Sequence, residues 1–147
     1  MTKHELVIDA NILGNVCRND CTAEEVLQLA VKHRICITKE INNEYLPLLS
    51  CYMNKGSNKS VFLKEWYTMT CRSCAKKIKD DGKTPNCLSR MKRSDFKQDD
   101  AKYVRVALKT SSNILIAQEH HFQMAKDCIE GIGVRLLNQL EAIEFLK

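Results

Sequence analysis

Four carboxylates, Asp9, Glu44, Asp100 and Glu119, stand where a protein of alternating strands and helices would gather them at one end. Asp9 closes the apolar run Leu6-Val7-Ile8, and Glu119 follows the run Ile114-Leu115-Ile116-Ala117. Glu44 lies within two helical turns of the end of Arg34-Ile35-Cys36-Ile37, and Asp100 opens a helix. If the strands are parallel, all four meet at the carboxyl edge of the sheet, where open α/β sheets bind ligands. Crowded carboxylates repel one another unless cations neutralise them, and hard oxygen ligands suit Mg²⁺ or Mn²⁺. A site of this kind hydrolyses phosphodiesters without a covalent nucleophile, because the metal acidifies water and stabilises the leaving oxygen. Singly, each residue fits a plainer role: Asp99 and Asp100 as helix caps, Glu44 and Glu119 as solvent-facing side chains. Their coincidence with three strand ends is what points to a metal site.

The elements that must position them are legible as short apolar runs alternating with helical periods. Leu6–Ile8, Arg34–Ile37, Asn113–Ala117 and Val134–Leu137 read as strands buried on both faces, the mark of a parallel sheet. Between them, Thr22-Ala23-Glu24-Glu25 has the form of a capping box, and Thr38 precedes a helix that Pro47 tightens. Ala101, Val104, Ala107 and Leu108 form one apolar stripe, a short helix follows from Phe122 to Ile129, and Gly131-Ile132-Gly133 reads as a turn. Successive βα units favour right-handed crossovers. The expected architecture is α/β, a three-layer α/β/α fold around a mostly parallel sheet. Residues 1–147 form one domain, interrupted at about 53–98 by a basic, cysteine-containing insertion of helix and mobile loop.

The chain is of ordinary globular composition, 147 residues with 44% hydrophobic and 28% charged side chains and a net charge of +5. The charge is unevenly spread. Between Lys55 and Arg93 there are eleven Lys or Arg against three Asp or Glu, an excess suited to a polyanion. Lys76, Lys77, Lys79, Arg90, Lys92 and Arg93 are the candidate RNA-binding residues, against the plainer reading of a solvated loop. No apolar stretch reaches the ~20 residues of a membrane span, and Met1-Thr2-Lys3-His4 does not open a signal peptide, so a cytoplasmic protein with reduced cysteines is expected. Cys71, Cys74 and Cys87 have zinc-like spacing, but the second Cys-x-x-Cys pair of such sites is absent, which favours inert thiols. Trp66 and Tyr67 fit helix packing better than base stacking, and His120 and His121 fit the covering of a helix end better than phosphate contacts.

Taken in order, Val7-Ile8-Asp9-Ala10-Asn11-Ile12-Leu13, Thr38-Lys39-Glu40-Ile41-Asn42-Asn43-Glu44-Tyr45, Asp100-Ala101-Lys102-Tyr103-Val104 and Leu115-Ile116-Ala117-Gln118-Glu119-His120-His121-Phe122 resemble the motifs of PIN-domain nucleases. The resemblance covers about two-thirds of the chain, spares the insertion, and is nearest to the toxin-like PIN proteins of prokaryotic toxin–antitoxin systems. It implies a PIN-like (Rossmann-like) fold and a metal-dependent endoribonuclease. Asp9, Glu44, Asp100 and Glu119 would then hold Mg²⁺ or Mn²⁺, with Asn11 bracing the first aspartate. RNA is the expected partner, with a cognate antitoxin and a second copy of the chain as further candidates. One departure stands out: the family usually has Thr-x-Asp after the third strand, and this chain has Ala117-Gln118-Glu119. The longer carboxylate and the lost hydroxyl imply weaker catalysis. The competing expectation is a catalytically weakened domain serving as an RNA-binding or protein-interaction module.

Overall fold

The computed structural model describes residues 3–52, 58–72 and 74–147. Five strands, all parallel, form one sheet: β1 (Glu5–Ile8), β2 (Arg34–Ile37), β3 (Lys76–Lys77), β4 (Ile114–Ile116) and β5 (Arg135–Leu137). Their spatial order is β3-β2-β1-β4-β5. The runs read as strands are apolar on both faces because helices cover both faces, and Leu6, Val7, Ile8, Leu115 and Ile116 are fully buried. Register is tight at the centre, with Leu6, Val7 and Ile8 opposite Ile114, Leu115 and Ile116. Strand order reverses between β1 and β4, so the crevice at that switch point opens beside the end of each strand.

The helices among the described residues are α1 (Ala10–Cys17), α2 (Cys21–Ala30), α3 (Lys39–Tyr45), α4 (Lys59–Tyr67), α5 (Asn86–Ser89), α6 (Ala101–Leu108), α7 (His120–Met124), α8 (Lys126–Gly131) and α9 (Gln139–Leu146). α1 packs against α2, α3 and α4 in one layer, while α8 joins α5 and α7 in the other. α9 returns to pack on α2, and α6 lies across β1 and β4. The fold is thus three-layered α/β/α. None of the described helices is long and apolar enough to cross a membrane.

Local chemistry departs from the sequence reading at several points. Asp20, not Thr22, caps α2: its Oδ1 accepts from the backbone N–H of Thr22 at 3.0 Å and of Ala23 at 3.3 Å. Thr38 does cap α3, accepting from Ile41 N at 3.1 Å, and Pro47 sits in the 3₁₀ turn Leu46–Leu48 that tightens its end. The helix read from Phe122 to Ile129 is two short helices broken at Ala125. Gly133 ends the following turn at φ +103°, a left-handed conformation that glycine adopts without steric cost.

The middle of the chain is more integrated than a mobile loop. Residues 53–57 and 73 of the insertion lie outside the described residues, but the rest of the segment from Lys59 to Asp100 builds structure. Lys76 and Lys77 pair with Cys36 and Ile37 as an edge strand. Leu63, Trp66, Leu88 and Phe96 are buried in the same core as the sheet, and Trp66 Nε1 donates to Leu27 O at 2.9 Å. Beyond β3, Arg105 of α6 grips Asp80 through two nitrogens, at 2.9 and 2.8 Å. That bidentate pair holds the Asp80 carboxyl below its usual range. A short basic stretch with no alternation gave no strand signal, because an edge strand of two residues is held by its neighbour's backbone.

The cysteines also differ from expectation. Cys17 is bonded to Cys51, and Cys87 to Cys128. Neither pairing was visible from spacing, since partners 34 and 41 residues apart meet only through the tertiary fold. By the chain-entropy account, each closure contributes about 3–4 kcal/mol. The three-cysteine zinc set does not assemble: Cys87 is spent in a cystine, and Cys71 is buried with its thiol pushed up to about 11, unlike a thiolate ligand.

Candidate metal centre

The chain leaves β1 at Ile8 and turns directly into α1, and Asp9 occupies that junction at the switch point of the sheet. Its backbone N–H continues the ladder to Ile116 O at 2.9 Å, which locks Asp9 against the end of β4. The side chain is 1% exposed. Asn11 Nδ2 reaches its Oδ2 at 3.3 Å. Burial first, and then the fields of Asp100 and Glu119, push the Asp9 carboxyl up to about 7.

Asp100 arrives from the opposite layer. A 3₁₀ turn, Gln98–Asp100, feeds α6 and leaves Asp100 at its first boundary, with no side-chain cap. Its carboxyl is also raised, by burial and by Glu119 and Glu44, while His121 and Lys102 oppose the shift. Glu119 stands at the junction of β4 and α7, two residues before His121. His121 lies between the two acids. Its Nδ1 is 3.1 Å from Glu119 Oε2, and its Nε2 is 2.8 Å from Asp100 Oδ2, an ion-pair contact without hydrogen-bond alignment. Ligand atoms of Asp100, Glu119 and His121 all lie within 4.8 Å of one another.

Glu44 reaches the same crevice but is otherwise engaged. It is the penultimate residue of α3, and its two oxygens face the Tyr103 hydroxyl and the Lys102 ammonium. Lys102 is 7% exposed and also donates to Asp99 O at 2.9 Å. The Tyr103 oxygen accepts from Ala10 N at 3.2 Å while its proton goes to Glu44. One phenol therefore ties α6, α3 and the start of α1 together beside Asp9. Tyr103→Phe should cost about 1–3 kcal/mol by leaving Ala10 N–H and a Glu44 oxygen without their partner. Urea unfolding measures this; an unchanged midpoint would show that water takes over both bonds.

The four carboxylates are thus gathered, though not as four equal neighbours. The compact group is Asp100, Glu119 and His121, Asp9 is electrostatically joined to it, and Glu44 is held to one side by Lys102. His121, Lys102 and Tyr103 were missed as site residues. His121 sits just past a strand end, two residues after an acid, and Lys102 lies two residues after Asp100 on a helix where Ala101 and Tyr103 are buried. Those placements were readable, but which groups they would face was not.

The basic candidates are dispersed. Lys76 forms an ion pair with Glu5 at 2.9 Å across the sheet and serves the strand pairing. Lys77 and Lys79 are exposed at the carboxyl edge beyond β2. Arg90, Lys92 and Arg93 are exposed around and after α5, and Arg93 lines a recess with Lys97 and Asp99, directly before Asp100.

A divalent cation fits this donor set. Asp9 is buried among like charges with a carboxyl displaced far upward, and three oxygen and nitrogen donors already lie within coordinating reach of one another. Comparison of the chain with protein-family models, curated proteins and solved structures finds no match.

Proposed function

We propose that the chain is a divalent-metal-dependent endoribonuclease of the PIN type, acting in the cytoplasm as the toxin of a toxin–antitoxin pair. The observation that carries the reading is the buried Asp9 at the sheet's switch point, facing Asp100 and Glu119 with a carboxyl pushed up to about 7. Asp9, Asp100 and Glu119 would hold Mg²⁺ or Mn²⁺, with Glu44 and His121 beside them. When bound, the metal supplies positive charge at the reacting phosphoryl group and acidifies water. The chain's own groups prepare the place. Asn11 orients Asp9, Tyr103 fixes Glu44 against the start of α1, and Lys102 offsets the Glu44 charge so that the cluster stays compact. Exposed Lys77, Lys79 and Arg93 add positive potential near the same edge for an RNA backbone. A cytoplasmic protein must keep Cys17–Cys51 and Cys87–Cys128 closed against a reducing thiol pool, or function with them open.

A second reading draws on His121 and Lys102. Both place positive or proton-bearing groups among the acids, as an RNA-binding or protein-interaction module that has lost efficient hydrolysis would. One assay separates the two. Purified protein is incubated with structured and single-stranded RNA in Mn²⁺, Mg²⁺ or EDTA, and the ends of any fragments are identified. Metal-dependent internal cleavage is expected; RNA that is bound but intact in Mn²⁺ would leave the second reading.

A further inference from the structure

At the edge of the sheet, where β2 and β3 end, a cleft of about 380 Å³ opens between the start of α3 and the end of α4. Its size falls in the range of small-ligand pockets. Lys39, Arg72 and Lys77 line it, with no carboxylate among its lining residues. All three cations are exposed, and among the described residues none of them takes part in an ion pair. This contrasts with Lys76, Arg105 and Lys109 nearby, each of which has a carboxylate partner. Three cations of like sign around one concavity repel one another, and an anion is the ligand that relieves this.

The remaining lining narrows the anion. The Tyr67 hydroxyl donates to Asn42 Oδ1 at 2.6 Å, which fixes the ring's edge beside the Asn42 amide in the cleft wall. Ile37 and Ile78 form an apolar floor, joined by Ile78 N–H donating to Ile37 O at 2.8 Å. One guanidinium fork and two ammonium groups beside an aromatic ring and an apolar floor match a phosphate carrying a planar base. Geometry relates the cleft to the acidic crevice, because α3 begins at Lys39 in one and ends beside Glu44 in the other. Five residues of helix span about 7–8 Å, so a strand lying along α3 touches both.

We propose that this cleft is a nucleotide subsite, which holds a phosphate and base of single-stranded RNA next to the nucleotide presented at Asp9, Asp100 and Glu119. The assignment rests on the nuclease reading for its orientation but not for its test. Arg72 and Lys77 take the phosphate, Lys39 and Asn42 add donors, and Tyr67 packs against the base.

The probe is a fluorescein-labelled ten-nucleotide oligouridylate in EDTA, so that affinity is read without cleavage. Arg72→Gln combined with Lys77→Gln should weaken binding about tenfold or more at low salt and reduce the slope of log K against log salt by about 0.7, for the one phosphate no longer neutralised. Lys32→Gln with Lys64→Gln, exposed cations outside the cleft, should change affinity less than about twofold, as charge loss without a phosphate contact does. Equal losses in the two pairs, or no loss in either, overturn the subsite. Affinity loss confined to the cleft pair in a chain that cleaves no RNA upholds the subsite and overturns only the nuclease reading. Unchanged affinity in a chain that cleaves RNA with Mn²⁺ overturns only the subsite.

Discussion

Asp9→Asn should make the metal-free protein more stable at neutral pH while removing the metal-dependent RNA cleavage proposed for it. The two effects have one cause. In the fold the Asp9 carboxyl is pushed from its ordinary 3.8 up to about 7, by burial and by the charges of Asp100 and Glu119. A carboxyl raised in the folded state binds its proton more tightly there than in the unfolded chain. Its ionisation therefore costs nothing below about pH 4, destabilises progressively through the interval from 4 to 7, and costs its full amount above 7. The full amount is on the order of 2–4 kcal/mol. Asparagine keeps the shape and carries no charge, so the variant escapes that cost. In EDTA at pH 8 its Tm should rise by roughly 5–10 °C, and at pH 5 the difference should shrink. Excess Mn²⁺ should stabilise the natural protein, by mass action on the folded state, and leave the variant nearly unmoved. Cleavage should fall about a thousandfold or more with the lost ligand charge. A variant that melts at or below the natural protein at pH 8 would contradict the electrostatic account, and undiminished cleavage would contradict the nuclease assignment.

His121→Ala should change which metal the centre accepts. With Asp100 and Glu119, the imidazole makes a mixed nitrogen and oxygen donor set, which suits Mn²⁺ better than Mg²⁺. Mg²⁺ also demands stricter octahedral geometry than a set containing the long Glu119 side chain provides. The natural protein should therefore bind and work better with Mn²⁺. Removing the imidazole should weaken Mn²⁺ affinity by at least about 10- to 100-fold, since losing a donor costs no less than losing a group that only orients the donors, and should narrow the gap to Mg²⁺. Calorimetric titration of both proteins with both ions reads this without reference to catalysis. If Mn²⁺ affinity rises instead, His121 is a plug that the metal must displace. Placing at 117 the threonine of the motif this segment resembles is a poorer test than the sequence suggests. Ala117 is fully buried at the end of β4, and added atoms there cost about 1–3 kcal/mol in overpacking.

The site was half legible before the fold was known. Asp9 and Glu119 declared themselves because each ends a run too apolar to be anything but a buried strand, and a charge at such a boundary has few other places to go. Asp100 declared itself through the helix it opens. The distribution of roles among them was hidden, since sequence separation carries no information on which side chains share a cavity. Glu44 looked equivalent to the others until Lys102 and Tyr103, 58 and 59 residues later, were found on its oxygens. His121 looked like surface cover until the Asp100 carboxylate was found against its Nε2.

By itself the sequence determined the strand runs, the parallel sheet they require and the end at which the acids collect. All of these follow from local periodicity and burial, which each segment carries in its own composition. Only the tertiary structure decided the cystines Cys17–Cys51 and Cys87–Cys128, the edge strand at Lys76–Lys77, and the cleft where Lys39, Arg72 and Lys77 meet. Each of those joins segments from separate crossovers, and their partners are set by how the helices pack on the sheet. A lysine beside an open cleft and a lysine paired to Glu5 read alike along the chain, because the field each one feels is made by residues that only folding brings near.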